Sequence, residues 1–318
     1  MAEQPVGLST KLKPHQLTSI HAMLEMERNG KVDIIRPDKS SGICRFIRYS
    51  GKNIDGDNTN FCLHTQAGLL VDDVETGKLH TVIGLIETKP KVEQSDMLLK
   101  GEEKFHITYK SLAPTVRSNL IVLPSTKINQ WLNAFDNSSL KVLKITETKD
   151  LDQFYAEPEL QIVKPRDVNH NDHSIEYRRT SETKLPNGTE IKQDTEAIYA
   201  VRHLDNKKIN MYLQQYDVII LNIDLHREFD RVFAEPRWSR VIVDGVDTTI
   251  PATFEEEANY YWFISATPRD IYTRVSSRFV HKFFGNYEEF TEYFQVKNDP
   301  EFVKKSMETS QDEGKRDL

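Results

Sequence analysis

Six short runs, apolar at nearly every position and rich in Val and Ile, constrain the fold of this chain more than any other feature. They are AGLLVDD (67–73), SNLIVLPS (118–125), LKVLKIT (140–146), YDVIILNID (216–224), WSRVIVDGVD (238–247) and YYWFISATP (260–268). Side chains of a strand point alternately to opposite faces. A strand that is apolar on both faces must therefore be buried on both, which happens in a mainly parallel sheet covered by helices on either side. Amphipathic stretches fall between the runs. LTSIHAMLEMER (17–28) carries Leu17, Ile20, Met23 and Leu24 at helical spacing, after Pro14 and before Gly30. TKINQWLNAFDN (126–137) puts Ile128, Trp131, Leu132 and Phe135 on one face, so Trp131 is expected in the core. The expected fold class is α/β, a mainly parallel central sheet with helices on both faces and with insertions.

The rest of the chain is more polar. Residues 32–57 read as a hairpin, 89–117 as a polar loop, 150–210 as a charge-rich insertion on the sheet's rim, and 299–318 as a flexible charged tail. One lobe over residues 1–298 is the expected organisation. The formal charge of −7 excludes a uniformly basic nucleic-acid coat but allows a local basic groove. Cys44 and Cys62 are too few for a disulfide framework and favour a reducing compartment. MAEQPVGLST has no apolar signal core, and no apolar run reaches 18 residues. An intracellular, non-secreted protein without a membrane span is expected.

The strand-loop-helix at 68–87 is the first chemical signal. A phosphate-binding loop uses backbone amides around the phosphates, a Lys on the β- and γ-phosphates and a hydroxyl on Mg²⁺, in the pattern G-x-x-x-x-G-K-[ST]. Here Asp72-Asp73-Val74-Glu75-Thr76-Gly77-Lys78-Leu79 keeps Gly77 and Lys78 and has Leu79 in the hydroxyl's place. Other clusters are weaker. His170, Asp172 and His173, and Cys44 with Cys62 and His64, lack a complete ligand set, so no metal site is expected. The pairs Arg178-Arg179 and Lys207-Lys208 read as solvated, as does Arg269.

LKPHQL (12–17), GLLVDDVETGK (68–78), NLIVLPSTKINQW (119–131), YDVIILN (216–222), WSRVIVDGVD (238–247) and WFISATP (262–268) occur in one order. That order resembles the first RecA-like, P-loop NTPase lobe of superfamily-two helicases, most closely the Swi/Snf-type DNA translocases, over about residues 8–285. The resemblance implies that Gln16 faces the adenine, Gly77 and Lys78 hold phosphates, and Asp244 helps hold Mg²⁺. It places Pro124, Ser125, Gln130 and Trp131 beside the DNA backbone. Ser265, Ala266 and Thr267 match the motif that couples the nucleotide site to the nucleic-acid site.

Departures from the family pattern collect in the nucleotide site. Asp244-Gly245-Val246-Asp247 stands where the family has Asp-Glu-Ala-His, so the Glu that polarises the attacking water is missing. Leu79 removes a metal ligand, and Glu75 brings a carboxylate where the loop has glycine. The chain extends only 51 residues beyond Thr267, whereas a second lobe needs about 150. The expectation is a helicase-like pseudoenzyme without catalytic residues, acting by binding in viral or nuclear transcription, replication, repair or packaging. Two alternatives are half of a split DNA-dependent ATPase and a structural or assembly protein of a large DNA virus. No cofactor is expected, or ATP/Mg bound more weakly than about 100 µM. Expected partners are a protein on the acidic cleft-facing surface formed by Glu75, Asp244 and Asp247 (a second helicase lobe or another copy of the chain), and weakly bound, non-specific DNA. The expected setting is the nucleus, a viral factory or a virion.

Overall fold

A computed structural model describes residues 1–35, 60–64, 66–92, 98–102, 105–109, 115–155, 159–163, 175–184, 190–201, 204–233, 236–245, 256–268 and 294–316. Helix α1 (Pro14–Asn29) begins with Pro at its first position, where a missing N–H costs nothing, and ends on Gly30 at φ 58°. Strands β1 (Lys31–Ile35) and β2 (Asn60–His64) form an antiparallel pair. The run ICRFIRYS, expected in this hairpin, lies outside the described residues, as do Cys44, His170, Asp172, His173, Asp247 and Arg269. Strand β3 (Ala67–Leu70) leads through a loop into α2 (Lys78–Thr88). Strands β4 (Leu98–Glu102) and β5 (Phe105–Tyr109) pair antiparallel inside the stretch read as a polar loop.

Strand β6 (Asn119–Leu123) is followed by a 3-10 turn, Ser125–Lys127, and by α3 (Ile128–Phe135). After β7 (Val142–Ile145) come α4 (Lys149–Asp152), β8 (Glu159–Val163), β9 (Ile175–Lys184), β10 (Glu190–Val201) and α5 (Asn206–Gln215). Strand β11 (Val218–Asn222), a 3-10 turn (Ile223–Leu225) and α6 (His226–Val232) precede β12 (Trp238–Asp244) and β13 (Ala258–Ile264). The chain closes on β14 (Gln295–Val296) and α7 (Pro300–Arg316).

Two compact units result. The larger, Met1–Glu147 with Tyr212–Leu318, contains a seven-stranded sheet in the order β14-β3-β13-β12-β6-β11-β7. Every pairing in it is parallel, and all six apolar runs supply its strands. Strands β3, β6, β11 and β13 are buried along their whole length, as two-sided helix cover requires. Gly68 is needed at its place because a Cβ there would collide with the Trp262 ring.

One ionic cluster lies inside this unit. Arg240 donates from Nε to Glu27 Oε1 at 2.6 Å and from Nη2 to Oε2 at 2.7 Å, with both side chains fully buried. Nη1 donates to Lys89 O at 2.8 Å, and Trp262 Nε1 donates to Glu27 Oε1 at 2.9 Å. The cluster staples α1 to β12 and β13, and its charges are tolerated there because each is paired and hydrogen-bonded.

The smaller unit, Thr148–Met211, holds a three-stranded antiparallel sheet in the order β8-β10-β9. This is the stretch read as a charge-rich insertion. Its alternation is hidden by a register shift between Asp194 and Glu196, since one extra residue switches the face that apolar positions occupy. Residues 299–318, read as a flexible tail, are helical as far as Arg316, and Ser306 is buried. No helix among the described residues is long and apolar enough to cross a membrane.

Candidate functional site

The loop from Asp72 to Gly77 sits at the carboxyl end of β3, where ligands bind in open α/β sheets. Two of its residues have left-handed backbone. Gly77, the N-cap of α2, has φ 81°, and Glu75 has φ 66°, the only non-glycine with positive φ among the described residues. The loop thus keeps a backbone shape suited to glycine at a position where glycine is absent. A Cβ on Gly77 would run into the Gln16 amide.

Gln16 is buried and splints the loop from behind. Its Oε1 accepts from Lys13 N at 2.8 Å, and its Nε2 donates to Gly77 O at 3.0 Å. Beside it, the His15 ring lies with Nε2 2.9 Å from Thr76 O and Nδ1 2.8 Å from Ser306 Oγ. A carbonyl only accepts, so Nε2 carries a proton. The bridge links α7 to the loop through one imidazole. Asp72 holds the same segment: Oδ1 accepts from Asn298 N and Oδ2 from Asn298 Nδ2, each at 2.8 Å.

Lys78 folds back across its own loop. Its Nζ donates to Asp72 O at 2.6 Å and to Asp73 O at 2.7 Å. Burial pushes its pKa below the ordinary lysine value, and the charges of Asp72 and Asp244 oppose that shift in part. Lys127 adds to the lowering, so Lys78, Lys127 and Asp244 share one electrostatic neighbourhood. Leu79, in the place of the hydroxyl, packs against the hydrophobic core.

Asp244 ends β12 with both carboxylate oxygens occupied. Oδ1 accepts from Lys127 Nζ at 2.7 Å and Oδ2 from Trp131 Nε1 at 2.9 Å. Lys127 closes the 3-10 turn and Trp131 lies one helical turn beyond it, a spacing that aims both donors at one carboxylate. Trp131 is fully buried, as its place on the apolar face of the helix predicts. Gly245 follows at φ 88° and donates its N–H to Ile264 O at 3.2 Å.

Pro124, Ser125 and Gln130 follow β6, and Ser265, Ala266 and Thr267 follow β13, so these two groups lie at the same end of the sheet. Pro124 is half-buried, whereas Ser125 and Gln130 are exposed. Ser265 is buried and donates its N–H to Leu70 O at 3.2 Å, while its Oγ accepts from Thr267 N at 2.9 Å. The Ser265-Ala266-Thr267 turn is therefore tied to the residue from which the phosphate-type loop departs. Lys207 and Lys208 are exposed, and their N–H groups donate to Asp205 Oδ1, both at 3.1 Å. Among the described residues no three His, Cys, Asp or Glu side chains are grouped to hold a metal.

Lys127 was not singled out in the sequence, nor were Asn298 and Ser306. A lone lysine in a polar turn carries no signal of the aspartate it will meet 117 residues later.

A family model described as SNF2-related domain matches residues 15–268. A protein of Acanthamoeba polyphaga mimivirus named "Putative helicase R592" is 34% identical over 319 residues, covering 96% of this chain and 38% of that protein. A solved structure described as the Sulfolobus solfataricus SWI2/SNF2 ATPase core in complex with dsDNA is 12% identical, with a TM-score of 0.44, covering 94% of this chain and 46% of that one. The chain thus spans less than half the length of each.

Proposed function

Because the chain belongs to the SNF2-related domain family, we propose that it is a helicase-like RecA-type lobe that has given up ATP hydrolysis and works by binding in a DNA transaction. The carrying observation is Gly245. Where a glutamate would orient the attacking water there is no side chain, and the backbone is turned to φ 88°, a region that a glutamate occupies only with strain. A positioned general base contributes roughly 10²–10⁴-fold in rate, so its loss alone removes useful turnover. Leu79, half-buried against the core, and Lys78, drawn onto its own loop carbonyls, point the same way.

The nucleic-acid setting is supported by the family and by the helicase name of the mimivirus relative, which also favours a large DNA virus as the context. Ser125 and Gln130, exposed after β6, are the residues proposed to face a phosphate backbone, with Pro124 setting the turn. With the Lys127 ammonium held by Asp244 and a net charge of −7, DNA binding is weak, non-specific and shallow in its salt dependence. A protein partner on the face around Glu75 completes the reading. Asp244, expected to share that acidic face, is instead neutralised by Lys127, so the exposed Asp73 and Glu75 carboxylates are what suits a basic partner element.

The test is steady-state ATP hydrolysis with and without double-stranded DNA, together with DNA binding by fluorescence anisotropy across a salt series. The expected result is no DNA-stimulated turnover and weak binding with a small salt slope. Gly245→Glu should not restore hydrolysis, since the turned backbone misdirects the carboxylate. DNA-stimulated hydrolysis by the unmodified chain that disappears in Lys78→Ala would overturn the proposal.

A further inference from the structure

The family's chemistry calls for a divalent metal beside Asp244, and the residues here do not fit one. A metal ligand needs an oxygen lone pair with no cation already beside it; a carboxylate has about four lone pairs, so it is the neighbouring ammonium more than the count of hydrogen bonds that decides. Asp244 Oδ1 accepts from an ammonium at 2.7 Å and Oδ2 from an indole N–H at 2.9 Å, so both oxygens already face hydrogen-bond donors. Position 79 offers a half-buried leucine packed against the core, not a hydroxyl. Adding a doubly charged ion at Asp244 would place it within a few ångströms of the Lys127 ammonium, where like charges repel strongly.

We infer that Lys127 is the resident cation of this site: its ammonium takes the place on Asp244 that a divalent metal would take, so that the loop end of the sheet is neutralised and held in shape without metal. The inference rests on the family reading for the expectation of a metal, and on the geometry alone for its replacement. The replacement is built, not incidental. Lys127 N donates to Pro124 O at 3.0 Å, which fixes the turn that carries it. Trp131, fully buried one turn later, anchors the carboxylate's other oxygen and with it the rotamer that meets Lys127. Asp244 is 14% exposed against 37% for Lys127, so the lysine covers the acid from the solvent side. Any anion received by the Gly77 loop is then received without a metal.

The experiment is a titration with Mn²⁺, followed by electron paramagnetic resonance, of the unmodified chain and of Asp244→Asn, Lys127→Met, Lys127→Arg and Lys127→Met/Asp244→Asn. Thermal melts in Mg²⁺ and in chelator accompany it. The unmodified chain and Lys127→Arg should show no Mn²⁺ binding that depends on Asp244. Lys127→Met should gain a site at least about tenfold tighter, lost again in the double variant, and its melting temperature should become Mg²⁺-dependent. Mn²⁺ binding by the unmodified chain that Asp244→Asn abolishes would overturn the inference. So would a folded Lys127→Met that binds no more metal than the parent. If Lys127→Met does not fold, the comparison of the unmodified chain with Asp244→Asn still decides. None of these measurements reads hydrolysis or DNA binding, so failure here and failure of the proposed function are told apart.

Discussion

Replacing Glu75 by glycine should stabilise this protein, and the reason is backbone, not charge. At φ 66° a residue with a Cβ pays roughly 1–2 kcal/mol relative to the right-handed region. Glycine removes that cost but makes the unfolded chain more flexible, which takes back about 0.4–1 kcal/mol. Glu75 is exposed, so its removal opens no cavity. The net gain is on the order of 0.5–1 kcal/mol, and for a chain of this size about 1 °C in melting temperature. Scanning calorimetry of the parent, Glu75→Gly and Glu75→Ala separates the causes. Alanine deletes the carboxylate but keeps the Cβ, so it should leave stability nearly where it was. If alanine stabilises as much as glycine, repulsion with Asp72 and Asp73 is the source and the argument from φ is refuted. If glycine destabilises, the left-handed conformation is not under strain.

Two further outcomes follow from buried groups. Glu27→Ala leaves the Arg240 guanidinium buried without its carboxylate and should cost about 3–5 kcal/mol in urea unfolding, whereas the paired change Glu27→Met/Arg240→Met should be far milder; equal losses would contradict the pairing argument. Burial holds the His80 imidazole below its ordinary value of 6.5, so the unfolded chain binds more protons than the folded one. Stability should therefore fall as pH drops below 6.5 toward the lowered folded value, and His80→Gln should flatten that acid limb of a melting-temperature profile.

Much of the sheet was legible because the signal for a doubly covered strand is local. Val and Ile at consecutive positions identify β6, β11 and β12, and short unbroken apolar runs identify β3 and β13, without knowledge of any neighbour. Gly77 beside Lys78 marked the loop, and the absences at Gly245 and Leu79 could be read by eye. The hairpin of β4 and β5 and the three-stranded sheet of β8, β10 and β9 were not seen. Antiparallel strands with polar faces differ from loops only by a period-two pattern, which short length or a bulge erases.

By itself the sequence determined which segments form the doubly covered strands, which helix faces are apolar, and that Leu79 and Gly245 stand where the family has a hydroxyl and a glutamate. The tertiary structure alone decided what the site's polar atoms do. Gln16 stands where the resemblance places an adenine contact, yet both ends of its amide are spent on Lys13 and Gly77. Asp72 opens the phosphate-type loop in the sequence and acts as the anchor for Asn298 in the fold. Lys127 resembles nothing and becomes the counter-ion of Asp244. The physical reason is the range of the interactions. Propensity and periodicity act within a few residues and survive in the linear text. A hydrogen bond or ion pair is set by which chain ends the sheet order β14-β3-β13-β12-β6-β11-β7 brings side by side, and that order exists only after folding.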